Sequence, residues 1–289
     1  MRVLTPLLFI LSLGCKETAV TFPLALWLWE WRNGVRWRNA LKAGASNWLM
    51  LLLAALLFLS SANYLSQMAR SAEFNTLRGN VATQLHGFVW LMRQWVLPLW
   101  LNIDPDLPLH TGLGGALLPF AFTLFLLVLT IALRRNRPWF SFALAWAMLH
   151  LIPLYLILPR IDIANERQLY LAAWPLLAAL LIEAGRHIDL RTLRYALAGV
   201  LLACITLTVL RNHAYASEIA LWEDTATKSP HKARVHNNLG YAYLLAQRHD
   251  EARHEFITAL QLDPKLSAAH QNLLRLDDEM EKAGGTLRP

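Results

Sequence analysis

Charge is what this chain has least of. Asp, Glu, Lys and Arg make up 16% of its 289 residues, hydrophobic residues make up 56%, and the mean hydropathy is +0.33. That balance excludes an ordinary soluble globular chain and points to a polytopic membrane protein. Cysteine is nearly absent: Cys15 and Cys204 both fall in apolar stretches, so no disulfide framework is implied. The first apolar stretch has no small-x-small cleavage site and is followed by Lys16-Glu17, so it does not read as a signal peptide. No Ser/His/Asp or Cys/His arrangement stands out. Gly112-Leu113-Gly114-Gly115 lacks the strand and spacing of a dinucleotide loop, and reads as a flexible lead-in to an apolar helix. The formal charge of +7 sits in short loops between apolar runs, so no nucleic-acid partner is expected.

What is present is a series of apolar runs, at about 3–15, 19–31, 46–62, 113–133, 139–158, 169–185 and 195–210. Several reach the length needed to cross the hydrocarbon of a bilayer. The first two are short and read as a pair of helices meeting at Lys16-Glu17, with one broken span as the alternative. Basic loops set an orientation: Arg32, Arg36, Arg38 and Lys42; then Arg134, Arg135 and Arg137; then Arg186, Arg191 and Arg194. With these facing the cytoplasm, seven crossings put Lys16-Glu17, the 63–112 loop, the 159–168 loop and the C-terminal part on the outer side. A helix at about 85–101, with His86, Trp90, Arg93, Trp95 and Trp100, is too polar to span and is expected to lie along the outer surface. Twelve Trp suit interfacial aromatic belts.

The last fifth of the chain differs in kind. Between Ala233 and Leu266, the residues Leu239, Gly240, Tyr243, Ala252, Phe256, Ala259 and Pro264 fall at the offsets of a tetratricopeptide (TPR) repeat. Gly240 and Ala252 let two antiparallel helices approach, Tyr243 and Phe256 fill the space between them, and Pro264 stops the second helix. A single repeat cannot bury its own apolar face. Residues 217–230, with Trp222 and Pro230, read as a preceding half-repeat, and 267–283, with Leu273, Leu274 and Leu276 under a charged outer face, as a capping helix. The expected division is therefore an all-α chain with membrane helices in 1–212 and a TPR domain in 213–289. His231, His236, His249, His254 and His270 resemble a metal cluster until placed on the repeat. His236 and His270 then occupy equivalent positions in successive units, so packing explains them and no metal site is expected.

Lys16 and Glu17 between two apolar segments, and Arg160, Glu166 and Arg167 before another, are ionisable groups at membrane depth. Such groups mark either a functional polar cleft or structural ion pairs. As a cleft, Lys16, Arg160 and Arg167 are available to a phosphate.

Four blocks in order resemble the membrane O-mannosyltransferases that combine many transmembrane helices with TPRs, and their bacterial relatives. They are Gly14-Cys15-Lys16-Glu17-Thr18-Ala19 with Pro23; Leu97-Pro98-Leu99-Trp100-Leu101-Asn102-Ile103-Asp104; Asn165-Glu166-Arg167-Gln168-Leu169-Tyr170-Leu171; and Leu221-Trp222-Glu223-Asp224, leading to Pro230 and His236-Asn237-Asn238-Leu239-Gly240. The resemblance implies a GT-C type glycosyltransferase that moves a sugar from a polyprenyl-phosphate donor to an acceptor, a protein for preference, on the outer face of a bacterial inner membrane. It implies that Lys16 and Arg167 hold the donor phosphate, that Glu17 and Glu166 orient them or the acceptor, and that Tyr170 packs beside the site. The TPR domain then lies on the periplasmic side and meets an acceptor or partner protein. No cofactor is evident; the resemblance leaves room for an assisting divalent metal, without a ligand set for it. The family's acidic catalytic residue belongs in a first outer loop that this sequence does not show, so the catalytic residues stay unassigned and the chain is expected to be a fragment. Asp104 and Asp106 match a later block. A non-catalytic membrane TPR scaffold and an envelope oligosaccharide ligase or polymerase remain as alternatives.

Overall fold

The computed structural model describes residues 4–15, 17–62, 65–66, 76–152 and 163–285. Among the described residues all regular structure is helical, thirteen α-helices with short 3-10 turns. They form two compact units. One is Met1–Leu97 with Leu107–Leu193; the other is Pro98–Asp106 with Arg194–Pro289.

The first unit holds α1 (Leu4–Cys15), a 3-10 turn (Glu17–Thr21), α2 (Phe22–Arg32), α3 (Trp37–Ala43), α4 (Ala45–Ser60), α5 (Leu77–Val96), α6 (Leu117–Leu133), α7 (Pro138–Leu151) and α8 (Leu169–His187). Its core is small where backbones must meet. Ala143 and Ala147 of α7 and Ala172 and Ala179 of α8 are all buried in one cluster, which lets these two helices pack closely. α6 carries no charge, and its hydroxyls are hidden: Thr123 and Thr130 donate to Pro119 O and Leu126 O, one turn back, at 2.8 Å each. Leucines on the outside of α1, α4, α6 and α8 are widely exposed, the exterior expected of helices solvated by lipid.

Among the described residues, two helices are long and apolar enough to cross a membrane, Glu166–His187 and α9 (Leu190–Ala214), or up to three if the bent pair of α3 and α4 counts as one span. This corrects the expected seven crossings. The run at 3–31 is two helices parted by the 3-10 turn, of 12 and 11 residues. The run at 113–133 yields a helix of only 17 residues, because Leu113–Gly115 is a 3-10 turn; in the run at 139–158, the 14-residue α7 reaches Leu151, and 153–158 lie outside the described residues. Hydropathy counts apolar residues; it does not see where helical hydrogen bonding starts and stops.

The helix expected along the surface at 85–101 is also corrected. α5 begins at Thr76, whose Oγ1 accepts from Gly79 N at 3.1 Å, and ends before Pro98. Eleven of its 20 residues are buried, including Asn80, Thr83, Gln84 and Gln94. Its polar groups face into the unit: Thr83 Oγ1 accepts from His110 N at 3.0 Å, and Gly87 leaves room for Ile163 and Ala164, whose atoms would lie 3.3 to 3.6 Å from a Cβ there.

In the second unit, α10 (Glu218–Lys228), α11 (Ala233–Leu245), α12 (His249–Leu262) and α13 (Ser267–Gly285) pack in sequence as helical hairpins. Leu239, Tyr243, Leu244, Ala252, Phe256 and Leu276 form one buried cluster, flanked by Ile219, Trp222 and Leu273. Gly240 is required by close approach, since a Cβ there would sit 2.8 Å from the Phe256 ring and 3.1 Å from Ala252 O. α11 ends in a Schellman turn. Gln247 takes φ +60°, its N–H donates to Leu244 O at 3.0 Å, and Arg248 N donates to Tyr243 O at 2.9 Å.

Candidate functional site

Two places in the fold concentrate polar chemistry, one in each unit. In the first, Ile163, Ala164 and Asn165 are buried, and Asn165 starts a one-turn 3-10 helix, Glu166–Gln168, that leads into α8. Asn165 Oδ1 accepts from Arg167 N at 3.1 Å, and Gln168 Oε1 accepts from Asn165 N at 3.3 Å. This reciprocal capping box fixes the backbone that carries Glu166 and Arg167. Arg167 is exposed, Glu166 is half-buried, and Tyr170 is 83% exposed on the first turn of α8. Lys16 and Arg160, expected to share a phosphate with Arg167, lie outside the described residues, as does the side chain of Glu17. Beside α8 an apolar cavity of about 370 Å³ is walled by Met92, Trp95, Phe122, Leu144, Leu176 and Leu180, with Arg93 as the one charged residue among its described lining.

In the second unit the decisive group is Asp104. Its side chain is 5% exposed and receives Lys232 Nζ at 2.5 Å, while Arg234 forks onto both oxygens, NH2 to Oδ1 at 2.6 Å and Nε to Oδ2 at 3.0 Å. Around it the end of α10 and the loop to α11 grip the irregular segment Pro98–Asp106. Lys228 Nζ donates to Leu101 O at 2.9 Å and Lys232 Nζ to Pro105 O at 2.9 Å. Ser229 Oγ donates to Asp104 O at 2.9 Å and accepts from Asn102 Nδ2 at 2.8 Å. Asp104 N closes on Asn102 Oδ1 at 3.0 Å. Lys228 also pairs with Asp224 at 2.7 Å, and Arg211, near the end of α9, reaches the same carboxylate at 2.7 Å. A buried carboxylate with two cations is a clamp that ties a distant strand of chain to the repeat. The sequence offered Asp104 and Asp106 as carboxylates of the outer 63–112 loop that match a later block of the resemblance, with no partner for either. The alternation of Asn102 and Asp104 with Ser229, Lys232 and Arg234 offered no local pattern that could pair them.

The repeat residues picked out by spacing sit as packing groups: Leu239, Gly240, Tyr243, Ala252, Phe256 and Ala259 are buried, and Pro264 follows the end of α12 at Leu262. His236 Nε2 donates to Pro230 O at 2.9 Å, and His270 Nε2 to Pro264 O at 3.0 Å. The recurrent histidine thus closes each turn onto the proline six residues before it. Tyr243 Oη donates to Glu223 Oε1 at 2.7 Å, and Arg248 lies 4.4 Å over its ring. Burial, and then that bond to a carboxylate, push the phenol up to about 12. The folded value lies above the ordinary phenol value of about 10. Its stabilising contribution is therefore complete below about pH 10 and is lost as pH rises to about 12. The thermal midpoint of the wild type should fall over that interval more steeply than that of Tyr243→Phe, followed by circular dichroism. Parallel curves for the two proteins would refute the assignment.

One face of the repeat remains polar and open. Asn272 Nδ2 donates to Asn237 Oδ1 at 2.9 Å, joining α13 to α11, and Tyr241 on α11 is 36% exposed. Next to them stands Asn238, whose Oδ1 accepts from Asn237 Nδ2 at 3.4 Å. No curated protein and no solved structure matches the chain. Residues 233–266, the α11–α12 hairpin whose packing is described above, match the tetratricopeptide repeat family.

Proposed function

We propose that this is a membrane-associated protein-docking module, in which the repeat region binds a partner polypeptide and the apolar helices hold it at a bilayer. The observation that carries the reading is the tetratricopeptide hairpin, packed with α10 and α13 in one apolar cluster, outside which lie Asn238, Tyr241 and Arg275. Donors and acceptors set on a rigid helix pair suit an extended peptide, because they satisfy its backbone and side chains without moving. In functional terms residues 1–212 serve as the membrane part and 213–289 as the docking part. A photoreactive residue at Tyr241 should crosslink one defined polypeptide in intact membranes, and one at Asp250, on α12, should not. Equal labelling from both positions would count against an open-face docking site.

The finer reading is a polyprenyl-phosphate-dependent glycosyltransferase of the GT-C type, with an envelope ligase or polymerase as its neighbour in chemistry. Two things support it. The first is the order of the four sequence blocks. The second is that Arg167 and Glu166 stand on a pinned turn at the head of α8, while Leu176 and Leu180, further along that helix, wall an apolar cavity that would suit an isoprenoid chain. In this reading Lys16, Arg160 and Arg167 bind the donor phosphate, Glu17 and Glu166 orient them or the acceptor, Tyr170 packs beside the site, and the repeat presents an acceptor protein on the periplasmic side. Cations set where the departing phosphate gains charge would lower the barrier to transfer.

A further inference from the structure

A second polar cavity lies in the first unit, remote in sequence from the Glu166–Arg167 turn and independent of either functional reading. It encloses about 320 Å³ where α2 ends, α6 ends and α7 begins, and is lined by Trp31, Arg32, Arg134, Arg135, Pro138 and Phe142 among others. No carboxylate lines it among the described residues. We propose that this cavity binds the phosphate of an anionic phospholipid headgroup.

Three observations point the same way. The guanidinium of Arg32 is held in place, 3.3 Å from the centre of the Trp139 ring and 5.7 Å from that of Trp29; its NH1 donates to Asn33 Oδ1, and its buried Nε has no acceptor. Arg134 and Arg135 are exposed and engage no carboxylate among the described residues. The neighbouring acid is already committed: Glu183 is paired with Arg137 and also bonds Arg186 and His187. Three guanidinium groups around one hollow, without an anion of their own, suit phosphate oxygens, which Arg can contact in pairs. The first turn of α7 opens at Pro138 on the rim, so the positive end of that helix adds to the field.

The surroundings select a lipid over a soluble anion. Trp29, Trp31 and Trp139 gather at this end of the unit, with Trp29 and Trp139 6.2 Å apart and Trp27 stacked on Trp31 at 6.0 Å. Indoles in such a belt mark the headgroup level. The turns of α6 just before Arg134 expose Phe125, Val128 and Ile131, apolar surface along which acyl chains can lie.

The test uses the full chain in detergent, with phosphatidylglycerol binding measured by native mass spectrometry against a phosphatidylcholine background. Arg134→Gln with Arg135→Gln should weaken phosphatidylglycerol binding about fivefold per guanidinium removed, roughly thirtyfold together. Arg191→Gln with Arg194→Gln, on the first turns of α9 and not among the residues lining the cavity, should change it less than about twofold. Equal losses in the two double variants would mean diffuse surface charge and overturn the proposal, as would retention of full binding by the first. Inorganic phosphate is titrated separately. Binding of phosphate alone as tight as that of the lipid would make this a soluble-anion site and overturn the lipid assignment. If the first variant fails to fold, the wild type decides: no preference for phosphatidylglycerol over phosphatidylcholine refutes the site.

Discussion

Replacing Asp104 by Asn should loosen Pro98–Asp106 from the repeat and raise amide exchange in that segment roughly a hundredfold. The substitution keeps the shape of the side chain and its backbone neighbours. It removes the charge that holds Lys232 at 2.5 Å and Arg234 at 2.6 Å, and leaves two cations against a site that is 5% exposed. Removing one member of a buried ion pair costs about 3 kcal/mol or more. Part of that cost is recovered here, because Lys232 and Arg234 are 18% and 29% exposed and can turn towards water. The lower end of the range is therefore used, and about 3 kcal/mol of local opening corresponds to the exchange change stated. The effect should be confined to residues 98–106 and the 228–234 loop that grips them. Hydrogen exchange of the full chain in detergent reads both, and unchanged protection at 98–106 would show that the clamp carries no stability.

Phe256→Ala should cost about 3–5 kcal/mol and loosen the four helices α10 to α13 together. The ring is completely buried among Leu239, Tyr243, Leu244, Ala252 and Leu276. Its loss cannot be healed by collapse, because the backbone already approaches at Gly240, where a Cβ would lie 2.8 Å from the ring. A cavity that stays open carries the full penalty. Since each hairpin is stable only through its neighbours, the loss should appear as raised exchange over the whole of 218–285 and not in α12 alone. Exchange raised only in α12, or a cost below about 1 kcal/mol, would mean that the helices are held independently.

The spacing of residues in the repeat announced its hairpin because each of its contacts is local. Gly240 faces Phe256 and Ala252 across one tight turn, and His236 and His270 each reach a proline six residues back. Where contacts span a few helical turns, order along the chain is order in space. The membrane part was less legible. Apolar runs marked where helices would form, yet hydropathy could not place their ends. The 3-10 turns at Glu17–Thr21 and Leu113–Gly115 cut several runs to less than a crossing. α5 was misjudged for a related reason: Asn80 and Thr83 argue against a lipid-facing helix, but permit one packed inside the unit, where Thr83 Oγ1 accepts from His110 N.

Composition and periodicity alone therefore settled the helical class, the low tolerance for water along most of the chain, and the repeat at 233–266. Folding in three dimensions alone decided that Pro98–Asp106 joins the repeat, across some 127 residues of intervening chain, and that Asp104 serves there as an anchor. Local patterns encode contacts made within a few turns. A pairing of one carboxylate with two cations so far along the chain leaves no periodic trace, and exists only once both segments have folded and excluded water from between them.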